Sequence, residues 1–315
     1  MLTILITGAS GFVGRHVARA AGRQRAALRL MSYRRPVSCP GPASGSHSGV
    51  RVVQADLADP ASLRGVCDGV DVLIHCAAQI GGSVEANEAV NARGSTALMA
   101  EARRAGVSRI VQLSTASVYG RGTYVGSRPE QLTRNPGSPT SRTRAIAEDA
   151  VLSAGGIVLR PHLVYGEGDS WVGPGLTRLL RTLPGTVAGW PALMSVIAVS
   201  ELAELLLATA LAPASALTAS VYHAGHPVPV TAHRVLRAVA ECTGTPWPDR
   251  DLTPDEARAM LAGDARSTAV LDMLTTDHFF DCAPLWCALG RVPRDGFETA
   301  FQHAAPWYRA SLQAA

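Results

Sequence analysis

Apolar residues gather in short runs along the first half of the chain, with mixed stretches between them. The runs at Leu2–Thr7, Ala27–Met31, Val50–Val53, Val70–Cys76, Ile110–Leu113 and Ile157–Leu159 have the length and aliphatic content of buried strands. Helical stretches sit between most of them. Asp59 before Pro60 suits an N-cap and a first-turn proline. The Ala-rich stretch from Ala86 to Ala105 predicts one long helix, closed by Gly106. Strand and helix in alternation predict an α/β protein with a Rossmann-like, doubly wound parallel sheet. After Arg160 the pattern loosens. Pro161 to Gly189 is rich in Gly and Pro, Ser195–Ala212 reads as one more strand and helix, and a helix-rich tail follows from His223. The expected division is a dinucleotide-binding domain over 1–165, with 195–222 returning to it, and a smaller, mostly substrate-binding domain over 166–315. Residues 36 to 49, rich in Pro, Gly and Ser, predict a surface loop.

Composition narrows the class. The chain has 315 residues, 47% of them hydrophobic and 17% charged, so it can bury a large core and is not disordered. Aromatics are only 5%, which leaves the core to Ala, Val, Leu and Ile. No apolar run approaches the roughly 18 residues of a membrane helix, and no charged region precedes the first strand as in a signal peptide. The six cysteines show neither paired metal spacing nor disulfide density, so reduced thiols in a cytoplasmic protein are expected. All 29 basic residues are arginine; without lysine, no mechanism that needs its ammonium is open. Residues 1 to 55 carry eight arginines and no carboxylate, the first being Asp56. Those arginines alternate with alanines on a predicted helix instead of forming a dense run with aromatics. A phosphate-rich small molecule is therefore the expected partner, with no nucleic acid and no membrane.

The segment Thr7-Gly8-Ala9-Ser10-Gly11-Phe12-Val13-Gly14 follows the first strand and opens the first helix. Gly8 permits the turn, Gly11 lets the backbone approach a pyrophosphate, and Gly14 allows close helix–sheet packing. An ordinary Gly-rich turn would read the same without the strand context. This spacing resembles the extended short-chain dehydrogenase/reductases, which include the epimerase/dehydratase-like enzymes. Further stretches carry the resemblance in order: Asp56-Leu57, His75-Cys76-Ala77-Ala78, Asn91-Ala92-Arg93-Gly94-Ser95, Leu113 to Gly120, Arg160-Pro161-His162-Leu163-Val164-Tyr165-Gly166, Val199 to Ala203 and Val221 to Gly225. It spans nearly the whole chain. It implies that Gly8, Ser10, Gly11, Phe12, Val13 and Gly14 hold the cofactor's pyrophosphate. Asp56 and Leu57 would flank adenine, and Ala77, Ala78, Asn91 and Pro161 would complete the binding surface. Dimers of the family pair through the long helices, so a homodimer is an expectation of the same kind.

Cofactor choice turns on the end of the second strand. NAD binders place an acid there for the ribose hydroxyl. Here Leu28-Arg29-Leu30-Met31-Ser32-Tyr33-Arg34-Arg35 has none. Arg34 and Arg35 suit a 2′-phosphate, favouring NADP(H) over NAD(H); solvated loop charge is the bland reading.

The family's chemistry uses a hydroxyl, a tyrosine and a lysine. The resemblance puts the hydroxyl at Thr115, and Thr140 and Arg144 where the tyrosine and lysine would stand, with Glu148 four residues further on. Arg144 would anchor the nicotinamide ribose. Thr140 is too weak an acid to protonate a ketone. His162 is either a substitute acid lining the site or a hydrogen-bonded structural histidine. Tyr124 and Arg128 read as a loop feature, Tyr119 and Tyr165 as packing, and His75 as buried at a strand end. His223 and His226 lack a helix or a partner acid, so no metal is expected. A ketone beside its own phenol needs no protein acid, and aromatic polyketides have that arrangement. A closer resemblance is to the atypical ketoreductases of angucyclinone biosynthesis, simocyclinone's included, which lack the tyrosine and lysine. It implies reduction of an aromatic polyketide ketone. A catalytically inactive NADP(H)-binding regulator is the competing reading.

Overall fold

The computed structural model describes residues 1–37 and 49–313. Most of the loop predicted over 36 to 49, with Cys39, lies outside the described residues. The predicted strands form as β1 (Thr3–Thr7), β2 (Ala27–Ser32), β3 (Val50–Gln54), β4 (Val72–His75) and β5 (Arg109–Leu113). After β6 (Tyr124–Ser127) comes the sixth predicted run, β7 (Ile157–Arg160). The second half adds β8 (Leu163–Tyr165), β9 (Gly185–Val187), β10 (Leu193–Met194), β11 (Val196–Ala198), β12 (Val221–His223), β13 (Val230–Thr231), β14 (Arg250–Leu252) and β15 (His278–Phe280).

Seven of these strands make one parallel sheet in the order β12-β7-β5-β4-β1-β2-β3. The order reverses between β1 and β4, and the crevice at their carboxyl ends is where such sheets bind ligands. The central strand shows why the apolar runs are continuous. Ile4 and Ile6 of β1 point into the core under α1 (Phe12–Ala21), while Leu5 points to the opposite core. A strand covered on both faces has no position left for a polar side chain.

Several local expectations are revised. The long Ala-rich helix starts at Val84, with Ser83 as cap, and runs as α2 (Val84–Asn87), a π-helical stretch over Glu88–Gly94 and α3 (Ser95–Arg104). Gly94 sits where this helix meets the end of β3: a Cβ there would lie 2.3 Å from the Leu57 carbonyl oxygen. Asp59 does cap, through Ala61 N–H at 3.0 Å, but only a short 3-10 turn at Pro60–Leu63. Tyr124, expected in a loop, lies in β6 because that segment finds a partner far away in β15. α4 (Pro139–Ser153) forms as expected behind Ser138, whose hydroxyl accepts from Ser141 N–H.

The Gly- and Pro-rich stretch after Arg160 hides α5 (Val172–Thr182). Gly173 is there for packing, since a Cβ would lie 2.4 Å from the Tyr308 ring. Then follow α6 (Val199–Leu211), α7 (Ala232–Thr243), α8 (Pro254–Met260), α9 (Ala265–Leu274), α10 (Ala283–Ala288) and α11 (Phe297–Gln313). α6 packs against α1 in the main-sheet core, so this late segment belongs with the first half. α5, α7, α9 and α11 enclose a second core around Leu176, Val235, Leu271 and Tyr308. A four-stranded sheet, β13-β10-β15-β6, joins the two parts. The five described cysteines are free thiols. Among the described residues no helix is long and apolar enough to cross a membrane.

One buried ion pair fastens the layers. Glu148 of α4 is fully buried and accepts from Arg160 Nε at 2.9 Å and Nη2 at 2.5 Å. Ser114 donates to the same carboxylate, and Arg134 lies at 3.4 Å. Arg160 also donates to Tyr119 Oη at 2.8 Å, and Tyr119 Oη meets His223 Nε2 at 2.7 Å. Glu148→Ala would strand a buried guanidinium. We expect about 3–5 kcal/mol of lost stability, read from the denaturant midpoint, with partial recovery in Glu148→Ala/Arg160→Met. A loss below about 1 kcal/mol, the range of an exposed pair, would contradict this.

Candidate active site

The crevice is closed at its floor by contacts between β1 and β4. Thr7 Oγ1 meets His75 Nδ1 at 2.7 Å and accepts from Ala77 N–H at 3.2 Å. His75 Nε2 meets Ser95 Oγ at 2.9 Å. Burial, with the Arg144 charge adding to it, pushes the His75 pKa down to about 3, so the ring is neutral at working pH.

Two glycines let the loops come this close. Gly8 has φ +65°, and a Cβ on it would lie 2.7 Å from Ala77 N. A Cβ on Gly14 would lie 2.0 Å from the Gly8 carbonyl oxygen. α1 begins after Gly11 with no side-chain cap and no acid in its first turn. Its first N–H groups are therefore open to an anion in the crevice.

The end of β2 is basic and outward. Ser32 Oγ donates to the Arg35 carbonyl at 2.6 Å and shapes the turn. The Arg34 guanidinium lies 4.5 Å over the Tyr33 ring and donates to Tyr33 Oη at 2.8 Å. Arg34 and Arg35 are exposed, and among the described residues neither has a carboxylate partner. At the end of β3, Asp56 Oδ1 accepts from Ala58 N–H at 2.8 Å, and Leu57 is buried beneath it.

Asn91 is spent on structure. Its Oδ1 accepts from Gln79 N–H at 2.8 Å; its Nδ2 donates to the Gln79 carbonyl at 2.9 Å and to Thr143 Oγ1 at 3.1 Å. What it offers a cofactor is the position of the Ala77–Ala78 segment. Thr140, in the first turn of α4, is also committed. Its oxygen accepts from Gly81 N–H at 3.1 Å and its proton goes to Asn87 Oδ1 at 2.8 Å. One turn on, Arg144 is buried, donates from Nη2 to the Leu113 carbonyl, and has an Nε without a partner. A buried guanidinium with a free N–H, at the ends of β4 and β5, calls for a polar ligand.

Thr115 caps the turn after β5, with Oγ1 accepting from Ser117 N–H at 3.1 Å. Ala116 N–H donates to the Pro161 carbonyl at 2.7 Å, which holds Thr115 near His162. His162 stacks on His278 with ring centres 5.5 Å apart and planes 10° apart. Its Nε2 is covered and has no partner. Burial, with the nearby His278 charge, pushes its pKa down to about 3.

The structure thus gathers Gly8 to Gly14, Ala77, Ala78, Thr115, Arg144, Pro161 and His162 along one edge of the sheet, with Arg34 and Arg35 outside β2. Tyr119 and Tyr165 are buried, the latter against Phe297 and Phe301. His223 bonds Tyr119, while His226 Nδ1 accepts from Val228 N–H within its own turn. Sequence reasoning missed Gly81, Asn87, Thr143 and His278. The four-residue helical spacing of Asn87 and Asn91 was a usable signal; nothing local pointed to His278.

An anion cradle at the switch point of a doubly wound sheet defines a dinucleotide-dependent enzyme of Rossmann type. The chain belongs to the NAD dependent epimerase/dehydratase family, whose model matches residues 4–227. It is 27% identical to a 2-alkyl-3-oxoalkanoate reductase of Stenotrophomonas maltophilia, over 94% of this chain and 96% of that protein. A Stigmatella aurantiaca protein named as a 4-hydroxy-2-methyl-3-oxo-4-farnesyl-3,4-dihydroquinoline-1-oxide ketoreductase is 29% identical over 56% of this chain and 54% of its own. The fold superposes on the Bordetella bronchiseptica enzyme WbmH in complex with NAD+ with a TM-score of 0.76, at 18% identity, over 99% of each chain. The protein is accordingly an oxidoreductase of hydroxyl and keto groups that uses a nicotinamide dinucleotide. The open α1 terminus, the glycine cradle and the free Arg144 Nε all fit that cofactor. Gly8→Ala drives a Cβ into the Ala77 backbone, which must shift the loops that form the cradle, and strains φ. It should weaken dinucleotide binding at least about tenfold by calorimetry, a change worth about 1.4 kcal/mol; an unchanged affinity would refute the assignment.

Proposed function

We propose that this protein is an NADPH-dependent ketoreductase acting on a polycyclic aromatic polyketide ketone of angucyclinone type. In this reading the substrate's own phenol takes the place of a protein acid. The observation that carries it is Thr140: the hydroxyl at the family's tyrosine position has both its proton and its acceptor side engaged by Asn87 and Gly81. No lysine exists to tune a phenol in any case. The quinoline ketoreductase relative supports a ring ketone as substrate.

When bound, the dinucleotide supplies a hydride to the carbonyl carbon. The chain's residues do the rest. The α1 N–H groups hold the pyrophosphate, Arg34 and Arg35 take a 2′-phosphate, and Arg144 holds ribose hydroxyls through its free N–H. Thr115 steadies the carbonyl oxygen. His162 is neutral near pH 7, since an imidazole lowered to about 3 holds almost no second proton there. It lines the pocket and keeps it dry. The proton reaches the carbonyl oxygen from the adjacent phenol, and the phenolate left behind regains a proton from bulk water once the product has left the pocket. Orientation and water exclusion are the protein's contribution.

Two experiments test this. NADPH should bind more tightly than NADH, and Arg34→Ala/Arg35→Ala should weaken NADPH alone, by about 1.5–3 kcal/mol per lost charged hydrogen bond. Equal affinity of the unmodified protein for both cofactors would reject the 2′-phosphate role. Second, a tetralone with a hydroxyl peri to its ketone should be reduced, whereas its methyl ether should bind without turnover. His162→Ala should lower the rate only modestly. kcat should stay level from about pH 5 to about 8, because the lowered His162 does not titrate there. A rate that falls as pH rises through about 6 to 7, with His162→Ala dead and the methyl ether reduced, would mean that a protonated histidine is the donor.

A further inference from the structure

Trp171 is 57% exposed, yet its backbone is tied to a buried carboxylate. Its N–H donates to Asp169 Oδ1 at 2.8 Å. That carboxylate is buried and also accepts from Val172 N–H, Gly173 N–H and the Tyr308 hydroxyl. The main chain at the start of α5 is therefore fixed, while the indole is kept out of the core.

The indole lies near the loop after β4. A Cβ on Gly81 would lie 4.0 Å from Trp171 Cη2, an ordinary van der Waals contact. Gly81 has φ +69° and donates its N–H to Thr140 Oγ1. The indole thus lies near Gly81, which bonds the residue at the position where the family's acid would stand. Ile80, 53% exposed, and Val84, 44% exposed, lie on the same loop and the helix it enters. An exposed indole with an anchored main chain thus stands near a loop that carries exposed aliphatic residues, beside Thr140. Exposed apolar surface grouped at a cleft marks a ligand contact.

We propose that Trp171 is a specificity-determining residue whose indole face stacks on the flat aromatic part of the substrate, with Ile80 as the adjoining wall. This deepens the ketoreductase reading and rests on it for the identity of the ligand. Offset stacking together with the apolar area buried makes such a plate selective for fused rings over compact polar substrates. A glycine at 81 keeps the indole edge close, since no side chain intrudes.

The test uses the whole protein without cofactor and a hydroxyanthraquinone as probe. In the unmodified protein the probe should quench tryptophan emission as it binds. Trp171→Leu should lose most of that quenching and weaken the probe's Kd by about tenfold or more, the scale of one stacked aromatic with its buried area. Trp171→Phe should restore part of the affinity. Melting temperature and NADPH affinity should not move in either variant, since Trp171 lies outside the cofactor cradle. With a reducible aromatic ketone, Trp171→Leu should raise KM and leave kcat nearly unchanged. Probe affinity in Trp171→Leu equal to the unmodified protein overturns the proposal, even if aromatic ketones are reduced. Loss of quenching and affinity upholds the plate even if no ketone is turned over, in which case it is the ketoreductase reading that fails.

Discussion

A single buried carboxylate organises the candidate site. Glu148 is bound by Arg160 through two nitrogens and receives the Ser114 hydroxyl. Thr140 and Arg144 lie on its helix, Thr115 follows Ser114, and His162 stands two residues beyond Arg160. Thr115 and His162 are thus one and two residues from this cluster, and Arg144 and Thr140 about one and two turns from it along the same helix. A charge pair without water holds its geometry strictly, because any displacement leaves a buried ion unpaired. Tyr119 and His223 extend the cluster to β12 and so tie in the edge of the sheet.

The pocket built on this frame has little acid–base capacity. Burial keeps His75 and His162 neutral, and the Thr140 proton is engaged. The cation inside is Arg144, whose free Nε suits a ribose oxygen better than a reacting proton. Such a pocket positions a hydride donor and a ketone well, and it leaves proton supply to whatever enters with the ketone. The same logic places weight on shape: a site with few reactive groups of its own gains selectivity from the surface that orients its ligand.

The two halves of the chain meet by unlike means. Within the first half, strands pair with neighbours in the parallel sheet, and helices cover both faces. Between the halves, contact is made by β6 pairing with β15 and by His162 stacking on His278. These contacts border the crevice, so substrate surface and cofactor surface are assembled from segments far apart in the chain.

The amino-acid sequence by itself determined the strands of the main sheet, the glycine turn after β1, the basic end of β2 and the lack of lysine. Each of these is local: an apolar run buried on both faces, a φ only glycine tolerates, a charge at a strand end. It also exposed the vacancy at Thr140 and Arg144, because a motif's spacing survives when its residues change. Tertiary structure alone decided the rest. α5 was masked by Gly173, Pro174 and Gly175, which look like a loop until Tyr308 packs against Gly173. Tyr124 became a strand residue only because β15 lay beside it. Asn91 had its amide used up by Gln79 and Thr143, so it became a support. Neutral His162, committed Thr140 and exposed Trp171 acquired their meaning from neighbours distant in sequence. A residue's hydrogen-bond partners, burial and proton affinity depend on what the fold brings against it, and no local pattern carries that information.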